Sequence, residues 1–154
     1  MIEIVPARAS HLRRLAQVMR QADRDEIAAR SGRTPLGALM GSYRASSQCW
    51  VVLIDGKPEV IFGVGTLNVL AGVGSPWLLG SDAVWAHRKE FLRGSRWWLR
   101  QLFGRYSVLR NVVDCRNEAS IRWLGWLGFR FSQPFDHRGR PFMLFEARAD
   151  QCAN

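Results

Sequence analysis

Residues 111–129, NVVDCRNEASIRWLGWLGF, constrain the fold more than any other part of the chain. They read as strand, cap, helix and stop. Val112 and Val113 are β-branched and suit a buried strand. Asn117 stands where a helix N-cap belongs, with Glu118 in the first turn, where the helix dipole favours an anion. Ile121, Leu124 and Leu127 recur every third residue and give the helix a buried stripe, and Gly128 supplies a left-handed stop before Phe129. A buried strand, a short helix and a returning strand make an α/β crossover.

The rest of the chain supplies partners for that unit. Ile2-Glu3-Ile4-Val5 alternates as a first strand and is closed by Pro6. Ser10 is the expected cap of a helix running to about Arg30, with Leu12, Leu15, Ala16, Met19 and Ala22 on its apolar face. Thr34-Pro35 opens a second helix marked by Leu36, Leu39, Met40 and Tyr43. Trp50 to Ile54 and Val60 to Leu67 are apolar strands joined by the turn signal Asp55-Gly56-Lys57-Pro58, so a hairpin is expected. Gly72 to Pro76 reads as a turn, with a fourth strand starting at Trp77. A helix over about 90–103 has Leu92, Trp98, Leu99, Leu102 and Phe103 on one face and Arg93, Arg96 and Arg100 on the rest. A final strand over 142–147 follows a turn around Asp136 to Pro141, and the last residues look frayed.

At 154 residues the chain favours one domain, 1–154, with one core. The formal net charge is +9, nearly all of it arginine, since Lys57 and Lys89 are the only lysines. That balance suits phosphate, nucleic acid or an acidic partner, although a charged helix face is more often simply solvated. Cys49, Cys115 and Cys152 are odd in number and widely spaced, so neither a disulfide framework nor a zinc site is expected and a reducing compartment is. No apolar run approaches the length of a signal or a membrane span. No Ser/His/Asp arrangement, metal spacing or phosphate-binding P-loop is legible.

The segment from Asn117 to Phe129 also resembles the last strand–helix–strand unit of the GNAT-type N-acetyltransferases, whose pattern is N-x-x-A-I-x-L-Y-x-K-L-G-F. Asn117, Ile121, Leu127, Gly128 and Phe129 match it, and Ser120 stands where alanine is usual. The resemblance implies a GNAT-like α/β (α+β) domain: a central mixed, mostly antiparallel sheet of six to seven strands flanked by about four helices. It implies acetyl-CoA as cofactor, with Asn117 and Ser120 among the residues that bind it. Asp82, just past the fourth strand, takes the place of a general base; its other reading is a turn cap. Two family features are altered. Leu124 occupies the position of the tyrosine that protonates the departing thiolate. The glycine-rich diphosphate loop is absent between Gly80 and Ser95, where Arg88 and Lys89 offer point charges instead.

The whole chain further resembles small internal virion and virion-assembly proteins of podophages, through Pro76 to Ala83 and Ser120 to Phe129. Two functions are therefore carried forward. One is an acetyl-CoA-dependent N-acetyltransferase with an unidentified amine substrate. The other is a non-catalytic virion protein on the same fold, binding virion proteins or, weakly and through arginine, nucleic acid. Host cytoplasm or virion is the implied location, membrane is not an expected partner, and a homodimer is compatible with either.

Overall fold

The computed structural model describes residues 1–151. The elements in chain order are β1 (Ile2–Pro6), α1 (Ala9–Val18), α2 (Gln21–Ser31), α3 (Pro35–Ala45), β2 (Ser46–Ile54), β3 (Lys57–Asn68) and β4 (Val73–Gly80). A 3-10 helix (Asp82–His87) then leads into α4 (Arg88–Phe103), followed by β5 (Val108–Asp114), α5 (Glu118–Leu127), β6 (Arg130–Phe131), β7 (Phe135–His137) and β8 (Arg140–Arg148). The strands form one sheet in the order β1-β2-β3-β4-β5-β8-β6, with β7 also paired to β8. Every pairing is antiparallel except β4 with β5.

Each face of the sheet is covered by helices. Leu12, Leu15, Met19, Ile27 and Leu39 pack on Val51 and Ile61 beneath α1, α2 and α3. Trp98, Leu99, Leu102, Leu124 and Leu127 pack on Val60, Phe62, Val64, Leu109, Val113 and Phe145 beneath α4 and α5. Because strand side chains alternate, consecutive residues of β4 serve opposite faces: Trp77 and Leu79 join the first core and Leu78 the second. The β2–β3 hairpin turns at Asp55 and Gly56, both at positive φ (49° and 78°), which a two-residue turn requires.

The unit over 111–129 forms as its pattern dictates. Asn117 Oδ1 accepts from the backbone N–H of Ser120 at 3.4 Å, and Gly128 stops α5 at φ 101°. Elsewhere the structure departs from expectation. There are eight strands and five α-helices among the described residues, against six to seven and about four. The helix expected to run to Arg30 is broken at Met19 and Arg20, and its cap is Arg8, not Ser10. Ser10 lies inside α1, and the Arg8 N–H is taken instead by His11 Nδ1 at 3.1 Å. No glycine or proline marks the break. The Arg20 N–H pairs with Gly80 O at 2.8 Å, and Arg24 caps the freed end of α1 by donating to Ala16 O, Gln17 O and Met19 O.

β4 begins at Val73, before the expected Trp77, because the turn is completed at Gly72 (φ 65°). Pro76 is tolerated within the strand where β4 has lost its β5 neighbour. β8 extends one residue past 147 and starts two earlier than expected. Cys49 and Cys115 are free thiols; Cys152 and the end expected to fray include residues 152–154, which lie outside the described residues.

Candidate functional site

β4 and β5 pair at two positions only, Val73 with Val108 and Gly74 with Leu109. Beyond them the strands diverge and the sheet opens. Asn111 spans the start of the gap: its Nδ2 donates to Pro76 O at 2.9 Å, and its Oδ1 accepts from Arg30 Nη2 at 3.1 Å. A cavity of about 470 Å³ passes through the opening. On the α1–α3 side it is lined by Glu26, Ile27, Arg30, Arg33 and Trp77; on the α4–α5 side by Leu78, Trp98, Ser120, Trp123 and Leu124. The sheet is thus pierced at the one place where two strands run parallel and part, and two ligands entering from opposite faces would meet there.

The α1–α3 side brings a carboxylate to the opening. Glu26 Oε1 accepts the Asp114 N–H at 2.7 Å, which ties α2 to the end of β5 and leaves the second oxygen available. Withdrawal from water pushes the Glu26 carboxyl up to about 7, with the Asp23 and Asp114 carboxylates adding to the effect; the Asp114 N–H and Arg30 oppose it. Asp114 behaves in the opposite way. Burial alone would raise it, but the Arg116 side chain and backbone N–H hold it below the usual carboxylate range. Two neighbouring carboxylates are therefore driven apart, one ionised and one poised near neutrality.

The α4–α5 side is nearly apolar. Leu124 is 6% exposed and belongs to the core that supports the cavity wall. Trp123 reaches across to α4: its Nε1 donates to Ser95 Oγ at 3.2 Å and its ring lies 5.5 Å from that of Phe91. Trp98 also lines the cavity, and its buried Nε1–H has no acceptor among the described residues.

The residues singled out from sequence fall at different distances from this opening. Ser120 lines the cavity, one turn before Leu124. Asn117 is buried as the cap of α5, outside the cavity lining. Asp82 is exposed on the 3-10 helix, also outside the lining. The cap of that helix is Ser81, whose Oγ accepts from the Ala83 N–H at 3.2 Å and donates to buried Glu59, itself paired with Arg14. Arg88 and Lys89 occupy the first turn of α4, exposed and outside the lining. Glu26, Arg30, Asn111 and Trp98 were not singled out. One signal for α2 was present: Asp23, Ile27 and Arg30, with Glu26 beside them, follow helical spacing, so an inward face carries charge.

No family model and no curated protein matches the chain. Solved structures do. A spermidine N-acetyltransferase chimera from Vibrio cholerae and hSSAT superimposes with a TM-score of 0.72 at 12% identity, over 99% of this chain and 98% of that one. A GCN5-related N-acetyltransferase from Brucella melitensis gives 0.70 at 15% identity, over 97% and 76%. An aminoglycoside acetyltransferase in complex with coenzyme A gives 0.68 at 14% identity, over 98% and 96%.

The chain has the GNAT fold.

In a GNAT fold the parted strands invite a test against coenzyme A, which one of the matched structures contains. Past Gly74 the β5-facing edge of β4 has no strand partner; Pro76 O is held by Asn111 and Gly80 by Asp23 and Arg20, so an extended amide-bearing arm can pair with that edge at Leu78. The unpartnered Trp98 N–H and the apolar wall of Leu78, Leu124 and Leu127 suit such an arm. The residues present therefore fit the acyl-bearing arm. The diphosphate end differs from the family pattern: a 3-10 helix with no glycine leads into α4, and Arg88 and Lys89 are the cations at its first turn. Among the described residues no group of three or more His, Cys, Asp or Glu side chains can hold a metal ion, and no helix is long and apolar enough to cross a membrane.

Proposed function

We propose that the protein is an acetyl-CoA-dependent N-acetyltransferase in which Glu26 is the base. The observation that carries this is the opening between β4 and β5, entered from both faces, with one carboxylate at its α2 wall. Acetyl-CoA, when bound, would supply the activated acyl group; Ser120, Trp98 and the Leu78 edge of β4 would hold its arm, and Arg88 and Lys89 at the first turn of α4 would offer cations to its diphosphate, with Asn117 holding α5 in place. Glu26 takes the proton from the acceptor amine. A carboxyl poised near 7 is ionised in a useful fraction at neutral pH and still basic enough to accept. On the gap-facing edge of β4 Pro76 has no N–H and the Gly80 N–H is held by Asp23, so the Leu78 N–H between them is the amide placed to stabilise the negative charge that develops on the carbonyl oxygen. Leu124 holds no proton, so Ser120 Oγ, one turn away on the same wall, is the α5 hydroxyl placed to do so. Asp82 has no place in this scheme.

The test is calorimetric titration of acetyl-CoA at low salt, followed by thiol release with a panel of amines. Micromolar binding, turnover, and a loss in kcat of about 10²-fold or more in Glu26→Gln are expected. A flat titration overturns the proposal.

The second reading is a non-catalytic virion protein on the same fold. Leu124 at the tyrosine position favours it, as does the face of α4 and α5 where Arg96 stacks over Trp126 at 4.0 Å beside exposed Trp97. Arginine stacked on an exposed indole can hold nucleic acid or an acidic virion partner. Retention of the protein on phosphate-bearing columns together with silence toward acetyl-CoA is the result it requires.

A further inference from the structure

Arginine, not carboxylate, dominates the acceptor end of the cavity. Arg30 and Arg33 line it and are joined there by a single acid, Glu26. Neither arginine forms an ion pair among the described residues. The Arg30 side chain makes one hydrogen bond among the described residues, to Asn111 Oδ1, which holds it at the mouth of the β4–β5 gap. The Arg33 guanidinium lies against α3 at Gly41, where a Cβ would come within 2.7 Å of Nη1. Arg138, from the turn between β7 and β8, lies over Gly32 and adds a third guanidinium at the end of α2. His137 Nε2 meets Arg30 O at 2.7 Å and docks that turn onto the helix.

Unpaired guanidiniums are forked donors suited to carboxylate and phosphate. Glu26 and Arg30 are four residues apart on α2, one turn or about 6 Å along the helix. A small molecule with an amine at one end and an anion a few bonds away spans that interval. A polycation meets two positive charges against one negative charge, within a protein of net charge +9.

We infer that the acceptor is an anionic amine, one that bears a carboxylate or a phosphate close to its reacting nitrogen, with the anion held by Arg30 and Arg33 and the amine directed to Glu26. The inference rests on the transferase reading of the same cleft. It separates this chain from the spermidine and aminoglycoside acetyltransferases whose fold it shares, because the amines named for those proteins are cationic.

The experiment pairs each probe with its neutral or cationic counterpart. Glycine and glycinamide test the carboxylate, O-phosphoethanolamine and ethanolamine the phosphate, and spermidine the polycation. Acetyl-CoA binding is measured separately by titration, and probe binding to the protein without cofactor is followed by NMR shifts. The expected result is at least a tenfold higher kcat/KM for one of the anionic probes over its counterpart. Arg33→Ala abolishes that preference with the Kd for acetyl-CoA unchanged, and Arg33→Glu shifts the preference toward spermidine. Equal use of charged and neutral probes, or a wild-type preference for spermidine, overturns the inference. If acetyl-CoA does not bind, the transferase reading fails. The anion site is then read from the NMR titration alone: Arg33-dependent binding of glycine or O-phosphoethanolamine supports it, and no binding sinks it.

Discussion

Glu26 sits among Asp23 and Arg30 on its own helix, Asp114 at the end of β5 and Arg116 just beyond. Burial raises its carboxyl from 4.5 to about 7. The folded state therefore binds a proton that the unfolded state has lost, and stability falls as pH rises between those two values. Below about 4.5 the cost is absent, and above about 7 it is complete. At ~1.4 kcal/mol per unit it reaches about 3–4 kcal/mol. Glu26→Gln is expected to match the wild type at pH 4 and to exceed it by about 3 kcal/mol at pH 8, read from urea unfolding across pH. The same substitution that stabilises the fold removes the base, so activity and stability should move in opposite directions. In the wild type kcat/KM should rise through about pH 7, and a profile flat from pH 6 to 8 would count against Glu26 as base.

Among the elements, α5 and the α1–α2 break show opposite sources of order. α5 is specified locally. Asn117 caps it, Gly128 ends it in the left-handed region, and Leu124 and Leu127 face inward at the spacing their sequence positions imply. Asn117→Ala is expected to cost about 1 kcal/mol, and Gly128→Ala, which forces a Cβ into φ 101°, a similar amount. The α1–α2 break has no such local code. Asp23, 2% exposed, accepts from the Gly80 N–H at 3.1 Å and is paired with Arg20 at 2.8 Å, so one buried carboxylate joins the break to the last residue of β4. Asp23→Ala leaves a backbone donor and a guanidinium without their partner, and about 3 kcal/mol of destabilisation is expected in chemical denaturation. Asp23→Asn, which keeps an acceptor, should lose clearly less.

Across the whole molecule, the sheet is continuous from β1 to β4 and again from β5 through β8 to β6, and the two parts are joined by a short parallel pairing. The cavity occupies the seam. A ligand that completes the free edge of β4 couples the two parts, so binding should raise global stability and not merely order a loop. At a hundredfold excess over Kd, acetyl-CoA is expected to add about 2.7 kcal/mol. That corresponds to a rise in Tm of roughly 5–10 °C for a domain of this size, with a change in indole emission from Trp98 and Trp123 at the cavity wall. An unmoved Tm would favour the virion reading.

The order of strands and helices, the β2–β3 hairpin and the capped α5 were legible in the chain, because hydrophobic period, glycine at positive φ and a capping side chain act over a few residues. The same local logic placed Leu124 in the buried stripe of α5, while its position on the cavity wall is a matter of tertiary packing. Glu26, Arg30 and Asn111 were not legible as a site, since 81 residues separate Arg30 from the asparagine it touches, and only the packing of α2 across the parted strands makes them neighbours. The break between α1 and α2 was equally hidden, its cause being a hydrogen bond to Gly80 in a distant strand. Local chemistry determined which elements form. Long-range packing decided which charges lose water and which face each other across the seam, and those charges are what any reaction in the cleft must use.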